Sequence, residues 1–145
     1  YSQSLTYSFP TTSNVDRMSF NGSNLSNQLP QPVEYNGKYL MSISLVYATL
    51  KNSDEAVRIG ETLVTERLAA SVNILSEVRS IYRWKKEIHD KKETLLIAKT
   101  STSRVDEIIA RICSLHSYQC PCIVAWSLDS GYEPYLDWVG QETTQ

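Results

Sequence analysis

Two kinds of hydrophobic spacing alternate along the chain after residue 37. Leu40, Met41, Ile43, Leu45, Val46, Tyr47 and Ala48 make a strand-like run within residues 39–50, closed by the polar Lys51-Asn52-Ser53. Ala56, Ile59, Leu63, Val64 and Leu68 then recur at helical spacing, which predicts an amphipathic helix over residues 54–69. Ser53 is its expected N-cap, with Asp54 and Glu55 at the favourable end of the helix dipole. Residues 72–84 are rich in β-branched and aromatic types and read as a long strand bent near Ser76-Glu77. The charged residues 85–92 read as the exposed end of a hairpin whose return strand is 94–100. Thr102 or Ser103 is the expected cap of a second helix carrying Val105, Ile108, Ile109, Ile112 and Leu115. That helix stops near His116 or Ser117, with Pro121 just beyond. Residues 122–128 are a fourth strand, Gly131 a break, and residues 132–140 a short aromatic helix that tolerates Pro134 in its first turn. The order βαββαβ with a short C-terminal helix predicts an α/β (α+β) class: a ferredoxin-like sandwich.

Composition adds limits. Residues 1–37 are rich in Ser, Asn, Gln, Thr and Pro, and Leu5, Phe9, Met18 and Leu29 follow neither period. Such a segment buries too little surface to offset its ordering entropy, so it is expected to be a flexible tail preceding a folded domain over 38–145. Arg17 is its lone basic residue before Lys38, which speaks against an organelle transit peptide, and no basic-then-apolar leader is visible. The net charge of -2 gives no reason to expect nucleic acid as a partner. No apolar run reaches the length of a membrane span, so no membrane insertion is expected. The three cysteines are clustered and odd in number; reduced thiols in a cytoplasmic setting are the simplest reading.

Two groups of residues carry candidate chemistry. Cys113, His116, Cys120 and Cys122 fall within ten positions, and thiolate with imidazole suits copper or zinc. Cys113 and His116 can share a helix face, and Cys120 and Cys122 can share a strand face. The C-x2-H-x3-C-x-C spacing is no standard zinc pattern, and inert packing of the cysteines is the preferred reading. Tyr82, Trp84, Tyr118, Tyr135 and Trp138, with Lys99, form the second group. They suit subunit-interface packing first, and an intersubunit pocket second. Residues 85–92 are a candidate contact for a protein partner. No Gly-x-Ser-x-Gly, His-Glu-x-x-His or phosphate loop occurs, so no enzymatic activity is expected. An RNA-recognition module shares the element order, but its third strand displays stacking aromatics, whereas this one reads Leu95-Leu96-Ile97-Ala98-Lys99.

Five motifs in one order carry a resemblance: Ser53-Asp54-Glu55-Ala56; Leu68-Ala69-Ala70-Ser71-Val72-Asn73; Tyr82-Arg83-Trp84 with Glu93 and Lys99-Thr100; His116-Ser117-Tyr118-Gln119-Cys120-Pro121; and Tyr135-Leu136-Asp137-Trp138-Val139. Together they resemble the CutA divalent-cation-tolerance family over residues 42–140. The resemblance implies a homotrimer with a PII-like assembly and a role linked to copper and other divalent cations, without catalysis. A PII-like sensor or scaffold holding a small ligand between subunits is the alternative. The chain departs from the family pattern at Leu50 and Ser71, where many members carry Cys. It also departs at Lys86, a common glycine, at Ser117 in place of Pro and at Cys122 in place of Glu.

Overall fold

A computed structural model describes residues 33–35, 38–40 and 42–144. The expected flexible tail over 1–37 lies outside these, save for Val33–Tyr35 (β1), which pairs antiparallel with Lys38–Leu40 (β2). The expected single strand over 39–50 is therefore divided, and Ile43–Leu50 is a separate strand, β3. The reason lies in the partner: β3 pairs with Glu87–Ser101 (β5) from Ile43↔Ser101 onward, and β5 ends there.

The first helix, α1, spans Ser53–Thr65. Its cap is Asn52, not Ser53: the Glu55 N–H donates to Asn52 Oδ1 at 3.0 Å. The Ser53 hydroxyl pairs instead with the Ser76 hydroxyl at 2.9 Å. The helix stops short of residue 69 because Arg67 takes a left-handed conformation, φ 56°. The Leu68 N–H then bonds the Leu63 carbonyl and the Arg67 N–H the Val64 carbonyl, a Schellman closure with Arg where Gly is usual.

Ser71–Trp84 (β4) and β5 form one long antiparallel hairpin. The expected bend is a bulge between Leu75 and Val78, with Glu77 at φ 60°. The charged segment 85–92 is more regular than expected. Only Lys85 and Lys86 form the turn, at φ 50° and 71°, and the ladder resumes at Trp84↔Glu87. Positive φ at both central residues is the two-residue turn that matches strand twist.

The Thr102 hydroxyl bonds the hydroxyls of Ser42 and Ser44 at 2.9 and 2.8 Å. It is thus unavailable as a cap, and a 3-10 turn over Thr102–Arg104 leads into α2, Val105–Leu115. Ile123–Ser127 (β6) and Glu133–Thr143 (α3) complete the chain. Helix α3 runs past the expected residue 140. Thr143 is buried, its hydroxyl 2.6 Å from that of Ser101, and its carbonyl accepts from Arg104 at 3.2 Å.

The sheet order is β4-β5-β3-β6, all antiparallel, as the βαββαβ reading requires. Helices α1 and α2 cover one face. Ile59, Leu63, Ile108 and Ile112 pack on Val46, Ala48, Leu50, Leu96 and Ala98, all fully buried. Helix α3 covers only one end of the other face, where Thr143 reaches Ser101 and Tyr135 reaches Ser71. By strand alternation that face carries Leu45, Tyr47, Leu95, Ile97, Val124 and Trp126, and Val124 and Trp126 are exposed there.

Candidate functional site, a cleft beside the hairpin

A cleft of about 830 Å³ opens where the outer half of β4 meets the loop after α2. Its walls are Arg79, Ser80, Ile81, Tyr82 and Trp84 of β4, Glu93 of β5, Tyr47 and Thr49 of β3, and residues 117–122.

The loop is positioned by hydrogen bonds to charged and backbone groups. The Ser117 N–H donates to the Glu55 carboxylate at 2.7 Å, and the Lys51 N–H to its other oxygen at 3.1 Å. Burial pushes the Glu55 carboxyl up, but these donors, the Ser117 side chain and His116 outweigh it and hold it below its ordinary value. The Tyr118 N–H donates to His116 Nδ1 at 3.0 Å. The ring proton therefore sits on Nε2, which donates to the Thr49 carbonyl at 2.9 Å. Burial, followed by the hydrogen bond and negative charge of Glu93, raises the Tyr118 phenol far above its usual value. Tyr118 is thus a neutral donor to the buried Glu93.

The expected metal set is dispersed. Both His116 nitrogens are engaged with the backbone. Cys113 does not line the cleft, whereas Cys120 and Cys122 do. Among the described residues no three of His, Cys, Asp or Glu gather in a metal-holding group. The preference for inert cysteine packing does not hold within the chain either, because all three thiols are free and exposed.

The six expected pocket residues form two groups. Tyr82, Trp84 and Tyr118 share the cleft. Lys99, Tyr135 and Trp138 lie toward the other end of β4. There Tyr135 pairs with the Ser71 hydroxyl at 3.2 Å, and its ring lies tilted against that of Trp138 with centroids 5.5 Å apart. Lys99 donates to Asn73 Oδ1, and burial lowers its pKa. His89, near the hairpin tip, stacks on Tyr82 with centroids 5.3 Å apart. Sequence reading did not single out Tyr47, Thr49, Arg79 and Ser80 as cleft residues, nor Glu55 as the clamp. Glu55 carries a signal in retrospect: an acid in a first helical turn has an uncommitted side chain near backbone donors.

Comparison with known proteins fits this architecture. The family model described as CutA1 divalent ion tolerance protein matches residues 44–142. The chain is 40% identical to the divalent-cation tolerance protein CutA of Thermus thermophilus over 99 residues, 68% of this chain and 96% of that one. It is 35% identical to protein CutA of Mus musculus over 114 residues, 79% of this chain, and spans 64% of the length of that relative. The crystal structure of CutA1 from Oryza sativa superposes with a TM-score of 0.71 at 30% identity, covering 73% of this chain and 97% of that one. No helix among the described residues is long and apolar enough to cross a membrane. The family is named for tolerance of ions, not for a reaction, and the chain belongs to it: it is a member of the CutA1 divalent ion tolerance family.

Proposed function

We propose that the chain acts as a non-catalytic homotrimer in the tolerance of divalent cations, copper foremost, in the reducing cytoplasm. The part of the sheet face away from α1 and α2 which α3 leaves exposed carries this reading. A two-layer fold with Val124, Trp126 and Leu75 exposed on one sheet face, and Ile81 and Ile88 65% and 70% exposed on the protruding hairpin, presents more contiguous apolar surface than a solitary chain retains. Closing copies around an axis covers that face and pairs the free edges of β4 and β6. Three copies, with a PII-like arrangement, is the number that the family resemblance supplies. The link to divalent cations follows the names of the relatives, and exposed thiols fit a reducing compartment.

Native mass spectrometry of the reduced chain tests this, with and without copper(II) or zinc(II). A trimer that gains a fixed number of ions per subunit supports it. A monomer, or a trimer that takes none, removes it.

A second reading has its own support. The cleft, with Tyr82 and Trp84 beside Arg79 and Glu93, has the size and mixed lining of a small-ligand site. A PII-like sensor or scaffold would use it, with the 85–92 hairpin contacting a protein partner. Replacing residues 85–92 and repeating affinity capture with the assembled protein discriminates: a partner lost on replacement supports this reading, and no partner in either case removes it.

A further inference from the structure

The cleft holds a carboxylate that the fold has taken out of water without giving it a counter-charge. Glu93 is 5% exposed and lines the cleft. Its donor is the Tyr118 phenol, which burial and the Glu93 charge keep protonated. Among the described residues no Lys, Arg or His forms an ion pair with Glu93. Arg79 is the basic side chain on the cleft wall, and its guanidinium is committed to both oxygens of Asp90. Around the carboxylate the chain places aromatic rings. Val78 stands opposite Glu93, and Tyr82 and Trp84 follow on the same face of β4. Tyr47 comes from β3 and Tyr118 from the loop after α2, and all four rings line the cleft. Tyr82 and Trp84 are 40% and 41% exposed, and His89 braces the Tyr82 ring from one side.

We propose that the cleft binds a small-molecule methylated ammonium ion, held by the rings of Tyr82 and Trp84 and by the charge of Glu93. This deepens the sensor reading of the cleft and rests on that reading for its biological meaning.

The chemistry selects this class of ligand. A buried charge is costly unless it is paired, so Glu93 favours a cation and disfavours an anion. The faces of Trp and Tyr attract a cation placed over them, and aromatic walls are the usual setting for quaternary ammonium. Such an ion has no N–H to satisfy, so it needs no acceptor besides the carboxylate. A bare metal ion asks for several donors. Among the described residues no three of His, Cys, Asp or Glu gather to supply them, and a phenol that keeps its proton is a poor ligand. The volume of about 830 Å³ admits the ion with a chain attached to it.

The test is calorimetry of the assembled full chain with tetramethylammonium chloride at constant ionic strength, with tert-butanol as an uncharged counterpart of similar shape. The indole N–H signals of Trp84, Trp126 and Trp138 report position by NMR. The expected result is one ion per chain, with a shift at Trp84 and none at the other two. Tert-butanol should bind about tenfold more weakly, and E93Q and W84L should each weaken the ion about fivefold or more. C113S, outside the cleft, should leave binding unchanged. No saturable uptake, equal uptake of tert-butanol, displacement by equimolar zinc(II), or a shift confined to Trp126 or Trp138 overturns the site. Should E93Q or W84L fail to fold, the measurements on the unaltered chain decide. A trimethyllysine peptide bound about tenfold more tightly than the free ion would assign the cation to a protein and overturn the small-molecule reading. The two readings fail separately. A cleft that takes tert-butanol at Trp84 but no tetramethylammonium overturns the ligand class and leaves the sensor reading standing. A chain that takes the ion but captures no protein partner retains the site and removes the sensor reading.

Discussion

The Ser117 N–H lies 2.7 Å from a Glu55 carboxylate oxygen, which ties the loop after α2 to the first turn of α1 across 62 positions of sequence. Because Ser117 opens the 117–122 wall of the cleft, the carboxylate controls the shape of the site without lining it.

Replacing Glu55 by Gln keeps the side-chain shape and removes the charge. Hydrogen bonds to charged groups contribute about 1.5–3 kcal/mol, so E55Q is expected to lose roughly that amount in denaturant unfolding. The pH dependence has a definite sign. The folded-state pKa lies below the ordinary 4.5, so the unfolded chain binds more protons in that range and stability rises with pH. The contribution is complete above about pH 4.5 and is lost as pH falls through the lower folded value. Acid unfolding of E55Q should lack this component; an unchanged acid profile would mean that Ser117 is held by other contacts.

Tyr118→Phe leaves the buried Glu93 carboxylate without its phenolic donor. The expected cost is about 1–3 kcal/mol of stability. Adding Glu93→Gln should recover part of it, because a neutral amide is cheaper to bury than an unpaired carboxylate. Thermal unfolding of both variants at one protein concentration checks this. Equal stability of Y118F and the unaltered chain would show that the phenol is not the partner of Glu93.

Lys86 holds φ 71° at the tip of the hairpin, where glycine meets no Cβ penalty. Lys86→Gly is expected to stabilise by about 0.5–1 kcal/mol, the left-handed penalty less the backbone entropy of glycine. For a chain of this size that is a rise of roughly 2–4 °C in Tm. A lower Tm would mean that the lysine side chain makes a contact that outweighs the strain.

Asn52→Ala removes the cap of α1, because its side chain accepts from the Glu55 N–H. The expected loss is about 1 kcal/mol. Ser53→Ala should cost α1 less, since that hydroxyl reaches Ser76 instead. Denaturant midpoints of the two variants should therefore rank N52A below S53A; the reverse order would return the cap to Ser53.

The order of elements and the core were legible because they depend on spacing: the helical repeats of Ile59-Leu63 and Ile108-Ile112 meet the strand alternation of Val46-Ala48-Leu50. Boundaries failed where a competing hydrogen bond intervened. Thr102 is a good cap by type, yet Ser42 and Ser44, some 60 positions away, take its hydroxyl, and no local pattern announces that. The polar 85–92 stretch was read as hairpin end by composition, while its pairing is set by a two-residue turn whose glycine is absent. The site was half legible. Tyr82, Trp84 and Tyr118 were marked as a group and do meet. His116 looked like a ligand because its identity is visible in sequence, whereas the carbonyl of Thr49 and the N–H of Tyr118 that engage it are not.

The bulge at Ser76-Glu77 decides which side chains the cleft receives. Leu75 stands opposite Leu95, and Val78 opposite Glu93, so β4 advances three residues while β5 advances two. From that point Val78, Ser80, Tyr82 and Trp84 share the face of Leu75. Strict alternation would have placed Glu77, Arg79, Ile81 and Arg83 there. One surplus residue thus acts as a phase shift in the strand: upstream of it the helix-facing side is apolar, and downstream of it the aromatic side chains have changed faces. Deleting the surplus residue would restore plain alternation with Val78 still opposite Glu93, so the aromatic wall would stay on its face and the strand would lose only the local bend and twist that the bulge gives it.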